Sequence, residues 1–141
     1  MRIVLDSNIL LVAIGKRSRY KSIWTAFTGG KYNLIVSDEI ISEYEEILQQ
    51  RASAGAAEIV MDIFIESSKV IYQQIYYSWN AIKPDPDDNK FFDCAVAANA
   101  DYIVSEDKHF NILKHIPFPS VIAIKTLEFK RILETINPIS V

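Results

Sequence analysis

Apolar residues fall along this chain in short unbroken runs, separated by stretches whose apolar positions recur at helical spacing. The runs at Arg2–Leu5, Asn33–Val36, Tyr102–Val104 and residues 121–124 predict strands. None shows strict in–out alternation, which is the pattern of strands covered on both faces. Helices are predicted between them. One spans residues 9–14 and stops at Gly15, and a second spans 22–28 and closes on Gly29 and Gly30. A third starts at Ser37 and Asp38 and runs through Leu48, with Ile40, Ile41, Tyr44, Ile47 and Leu48 on one face. Residues 54–66 predict a fourth. Residues 70–79 are β-branched and aromatic enough for a strand, but Gln73 and Gln74 break the pattern. Pro84 and Pro86 bar regular structure before a small-residue helix that begins at Lys90. A short helix over 108–114 and a last one over 126–133, capped by Thr126, complete the series. Strands and helices alternate, so the expected fold is α/β, a three-layer α/β/α arrangement around a central parallel sheet. With no repeat, low-complexity segment or boundary signal, residues 1–141 read as one domain.

In a parallel sheet every strand's carboxyl end lies on the same edge, which is where ligands bind in open α/β folds. Asp6 follows the first strand and Asp107 the strand at Tyr102–Val104. Asp88 stands at the start of the helix leading into that strand, and Glu43 lies about one turn into the helix after the second strand. Four acids from four regions can therefore converge on one point. Hard divalent cations such as Mg²⁺ and Mn²⁺ take oxygen ligands of this kind, and such an ion can acidify water and neutralise a phosphodiester. Each acid also has a plainer reading. Asp6 suits a helix cap, Glu43 a solvated helix position and Asp107 a turn. Asp88 could be an N-cap, with Asp87 or Asn89 serving in its place. Asp93 is open between a supporting ligand and a surface acid. Asn8 and Ser105 fit capping as well as orienting a ligand or water. His109 and His115 have no metal-binding neighbour at a useful spacing and read as structural or surface residues. Cys94 sits between apolar neighbours and reads as core.

Composition narrows the class without changing it. Half of the 141 residues are hydrophobic and 23% are charged, as in a globular protein with a sizeable core. The formal net charge of −3 argues against coating nucleic acid by charge alone, though a carboxylate pocket awaiting a cation contributes to that negative sum. The basic segment at residues 16–21 could meet a phosphate backbone, but a solvated loop explains it equally simply. A single cysteine excludes an intrachain disulfide and suits a reducing compartment. No run approaches the roughly 18 apolar residues of a membrane span. Asp6 and Asn8 interrupt the N-terminal apolar stretch, against a signal peptide, so the expected location is the cytoplasm.

Taken together, V-L-D-S-N at Val4 to Asn8, S-D-E-I-I-S-E-Y at Ser37 to Tyr44, D-P-D-D-N-K-F-F-D-C-A at Asp85 to Ala95 and A-D-Y-I-V-S-E-D at Ala100 to Asp107 resemble a PIN domain. The likeness is to the toxin components of toxin–antitoxin modules related to VapC. It implies a PIN-like fold and a Mg²⁺- or Mn²⁺-dependent ribonuclease. Asp6, Glu43, Asp88 and Asp107 would take the places of its four acids. It further implies an RNA substrate, a homodimer and a neutralising antitoxin protein. Other classes fit less well. A receiver-type phosphoacceptor could use Lys125 but needs an acidic pair after the first strand, where Leu5-Asp6-Ser7 offers one acid. A phosphatase of the haloacid dehalogenase type needs a second aspartate where Asn8 stands. A PIN-fold binding module without chemistry is opposed by acids at all four positions.

Overall fold

The computed structural model describes residues 1–136. Strands β1 (Arg2–Leu5), β2 (Asn33–Val36), β3 (Val70–Tyr72), β4 (Tyr102–Val104) and β5 (Ala123–Ile124) form one sheet in the order β3-β2-β1-β4-β5. Every pairing is parallel. Helices α1 (Ser7–Ala13), α2 (Lys21–Thr28), α3 (Asp38–Arg51), α4 (Ala56–Glu66), α5 (Asn89–Ala98) and α6 (Thr126–Ile136) flank it, giving the expected three layers. Ile3, Val4, Ile35, Ile103 and Val104 are wholly buried, as the unbroken apolar runs require. Phe27 packs edge-on against Phe64, and Tyr32 against Phe129, with centroids 5.6 and 5.3 Å apart.

The topology fixes where a site can form. The chain moves outward from β1 to β2 and β3, then crosses back to lay β4 and β5 on the other side of β1. The crevice beyond the carboxyl ends of β1 and β4 is thus the switch point of the sheet. Register makes it tight: Leu5 is level with Val104, and the Asp6 N–H donates to the Val104 carbonyl at 3.0 Å. The residues just past both strands are side by side.

Several element boundaries differ from expectation for visible reasons. Helix α1 starts at Ser7, two residues early, because extended Asp6 caps it and accepts from the Asn8 N–H at 3.4 Å. Helix α4 starts at Ala56 rather than 54, since Gly55 holds a left-handed φ of 84° before it. Of residues 70–79 only Val70–Tyr72 is strand. This is an edge with one neighbour, and after the Gln73 N–H reaches the Val36 carbonyl at 2.7 Å the chain leaves the sheet. The segment expected as a helix near 108–114 is a 3-10 helix, Lys108–His115. Helix α6 continues past residue 133 to Ile136, and its first N–H is capped by Glu106 rather than by Thr126 itself. The basic segment is a loop that ends at the first residue of α2, Lys21, and it lies beyond the far end of α1, about 10 Å of helix away from Asp6. Among the described residues no helix is long and apolar enough to cross a membrane.

Candidate metal centre

Each acid arrives by a separate local device. Asp6 leaves β1 and turns into α1; it is only 7% exposed, and Ser105 Oγ donates to its Oδ2 at 2.6 Å. Ser105 also accepts from the Asp107 N–H at 3.0 Å, so one hydroxyl joins the loop after β4 to the loop after β1. Asp107 then accepts from the His109 N–H at 2.9 Å and starts the 3-10 helix. Asp88 ends a short 3-10 turn, Pro86–Asp88, whose start Asp85 caps. Glu43 lies on α3, which Ser37 caps through the Ile40 N–H at 3.3 Å. Its neighbour Tyr44 donates a buried hydroxyl bond of 2.5 Å to the Leu5 carbonyl, tying α3 to the end of β1.

The four predicted acids face one region but are not equivalent. Asp88 and Asp107 belong to the tightest group, joined by Asp85 and His109, with one ligand atom from each residue lying within 4.8 Å of the others. Asp6 adjoins them through Ser105. Glu43 has both oxygens engaged: Ser7 Oγ donates to Oε2, and Lys90 Nζ pairs with Oε1 at 2.7 Å. Lys90 also holds Asp87 at 2.8 Å. Asp93 stands apart. It is buried, not a surface acid, and its Oδ1 accepts the Trp79 N–H at 3.1 Å, anchoring the segment that follows β3. Asn89 is wholly spent on structure, its amide accepting from the Ile82 N–H at 2.8 Å and donating to the Ile82 and Pro86 carbonyls at 3.0 Å. That leaves Asp88, not Asn89, as the side chain free to face the cluster.

Sequence reasoning missed three members of this neighbourhood. His109, read as structural or surface, places Nδ1 3.2 Å from Asp107, 3.6 Å from Asp88 and 3.8 Å from Asp85. Asp107 is only two residues away, but Asp85 and Asp88 lie some twenty residues upstream, so local spacing showed one possible partner and not the group. Asp85 and Lys90 were passed over beside the more central Asp88; the density of acids from Asp85 to Asp88 was the available clue. Cys94 and His115 are as expected, one fully buried and one exposed on the surface. Burial, followed by Asp93, pushes the Cys94 thiol up to about 12.

The electrostatics are those of carboxylates crowded together and partly withdrawn from water. Burial raises the Asp6 carboxyl above its ordinary value, against the hydrogen bonds from Ser105 and Asn8 and helped by Glu43 and Asp107. Asp88 is pushed up to about 7, first by burial and then by the charges of Asp107, Asp85 and Asp6. Asp88 Oδ2 and His109 Nδ1 are buried and have no hydrogen-bond partner among the described residues. Buried polar atoms are normally satisfied, so two orphans facing one another across a carboxylate cluster fit a bound cation. Burial opposes the charge of Lys90, but its contacts with Asp87 and Glu43 outweigh that and hold the amine above its usual range.

The fold and this edge define a class: an open, parallel three-layer α/β/α protein with a carboxylate-rich centre at its switch point. The family model described as PIN domain matches residues 2–109, and the chain belongs to that family. Among solved structures, a chain of VapBC2 from Rickettsia felis bound to a DNA fragment from their promoter is similar, with a TM-score of 0.60 and 17% identity. The match covers 89% of this chain and 98% of that one, a likeness of fold. No curated protein matches the sequence.

Proposed function

We propose that this PIN domain is a divalent-metal-dependent endoribonuclease, the cytoplasmic toxin of a toxin–antitoxin module. The observation that carries the reading is the convergence of Asp6, Asp88 and Asp107 at the switch point, with the Asp88 carboxyl destabilised as an anion and its Oδ2 unpartnered. Family membership and the fold shared with a VapBC2 chain support it. A homodimer neutralised by a protein antitoxin completes the proposal.

In this reading Asp6, Asp88 and Asp107 hold Mg²⁺ or Mn²⁺, and Glu43 completes the acidic edge behind Lys90. A bound hard cation supplies charge to offset a scissile phosphate and acidity to a water molecule. The chain's own part is positional. Ser105 fixes the Asp6 carboxylate while bracing the Asp107 backbone, so the two acids keep one spacing. Tyr44 holds Glu43 against β1, and Ser7 orients its second oxygen. Lys90, charged and nearly buried, stands where it can meet a phosphate oxygen once Glu43 turns to a metal. Hydrolysis adds water across a P–O bond of the RNA, leaving one phosphate end and one hydroxyl end.

The test is cleavage of a mixed RNA pool by purified protein with Mn²⁺, Mg²⁺ or EDTA, beside Asp6→Asn. Metal-dependent cleavage lost in the variant is the expected result. Folded, metal-loaded, antitoxin-free protein that leaves the pool intact would instead point to a binding module. Equal cleavage by Asp6→Asn would mean that the site lies elsewhere.

A further inference from the structure

We infer that His109 and Asp85 are themselves ligands of this centre, and that the imidazole makes it select a first-row transition ion over Mg²⁺. The inference rests on the metal-dependent reading above and deepens it. Two donors each about 2.1 Å from one ion stand roughly 3 to 4 Å apart. His109 Nδ1 lies 3.2, 3.6 and 3.8 Å from oxygens of Asp107, Asp88 and Asp85, which is that spacing three times over.

The simpler account is a pairing of the ring with the acids alone, but it leaves a buried polar atom on each side without a hydrogen bond. Despite three carboxylates within 3.8 Å, Nδ1 makes no hydrogen bond to any of them, and Asp88 Oδ2, on a residue only 8% exposed, makes none either. Nδ1 instead lies within hydrogen-bonding to ion-sharing distance of one oxygen from each of the three carboxylates, a spacing that ligands of a common ion also show. The main chain holds it there: the His109 N–H is fixed on Asp107 Oδ1, so ring and carboxylate are positioned as a unit. Ligand type then sets the preference. All-oxygen sites suit Mg²⁺, whereas an imidazole nitrogen favours transition ions, and Mg²⁺ dehydrates reluctantly to accept four protein ligands.

The test measures binding of Mn²⁺ and Mg²⁺ by calorimetry and the pulsed EPR spectrum of the Mn²⁺ complex. Wild type is compared with His109→Asn, which places an oxygen near the position of Nδ1, and with Asp85→Asn. The His109 side chain makes no hydrogen bond of its own, so folding of the variant, checked by circular dichroism, is expected to be normal. Expected are nitrogen hyperfine modulation in wild type that vanishes in His109→Asn, and a Mn²⁺ over Mg²⁺ preference that falls at least about tenfold. Asp85→Asn is expected to weaken both ions without changing their ratio. Modulation absent from wild type, or a preference unmoved in His109→Asn, overturns the inference. RNA cleavage scored on the same samples separates the two readings. Cleavage lost in Asp6→Asn without nitrogen coupling leaves the nuclease standing and removes His109. Nitrogen coupling without any cleavage keeps the metal centre and removes the nuclease.

Discussion

Ser105 shows how much one hydroxyl can organise. It donates to Asp6 and accepts from the backbone of Asp107, so it sets the distance between acids from opposite ends of the chain. Ser105→Ala keeps the fold's apolar packing but frees the Asp6 carboxylate and the Asp107 main chain. Metal affinity is expected to fall about 10- to 100-fold, as for other groups that orient ligands, with calorimetry as the check. Asp88 supplies a pH signature. Its carboxyl is raised from the ordinary 3.8 to about 7, so the folded state binds its proton more tightly than the unfolded state does. That contribution to stability is fully present below 3.8 and is lost as pH rises toward 7. In EDTA, wild-type denaturant midpoints are therefore expected to decline across this window more steeply than those of Asp88→Asn. Parallel curves for the two proteins would show that Asp88 is not the group responsible. At this scale the sequence could be read only so far. That Asp6 and Asp107 follow strands was legible from the apolar runs before them. Whether Asp88 or Asn89 faces the cluster was not, because two neighbours at a helix start differ only in which way they point. The answer came from the main chain of Ile82, which engages both ends of the Asn89 amide. His109 stayed hidden for a related reason: Asp107 stands two residues before it, but the contacts with Asp85 and Asp88 cross some twenty residues and leave no periodic trace.

At the scale of elements, the central strands announced themselves and the edges did not. Beyond their first residues, strands β1, β2 and β4 are buried and apolar throughout, so composition alone marked them. At the edges β3 and β5 have one neighbour each, so pairing rather than pattern decides where they end. The aromatic run after Tyr72 looked like a longer strand. Instead it leaves Tyr76 and Tyr77 exposed, while Asp93 fastens the Trp79 backbone. The position of Glu43 is likewise a property of an element, since α3 is docked by the Tyr44 hydroxyl on the Leu5 carbonyl. Tyr44→Phe removes that buried hydrogen bond and nothing else. A loss of about 1–3 kcal/mol in urea unfolding is expected. Cleavage should fall as well, because α3 no longer presents Glu43 at a fixed height above β1. Unchanged stability in Tyr44→Phe would mean that the helix is held by packing alone.

For the molecule as a whole, the acids at the switch point oppose the fold that gathers them. The topology forces the ends of β1 and β4 together, and the carboxylates that follow those strands repel one another when no cation is present. A site of this kind makes the protein less stable than its core permits, and the deficit should disappear when a metal binds. Binding stabilises the native state through RT ln(1 + [L]/Kd), about 2.7 kcal/mol when the ion is at a hundred times its dissociation constant. For a chain of this length that corresponds to a rise on the order of 5–10 °C in melting temperature. Wild type in Mn²⁺ is therefore expected to melt well above wild type in EDTA. Asp88→Asn should reverse the order of cause, since it relieves the repulsion and also removes a ligand. At pH 8 its EDTA melting temperature should exceed that of wild type, while most of the Mn²⁺ increment disappears. Differential scanning calorimetry of the two proteins in both buffers decides the matter. If Asp88→Asn is less stable than wild type in EDTA yet gains as much from Mn²⁺, then the cluster is not under electrostatic strain and the ion binds elsewhere on the molecule.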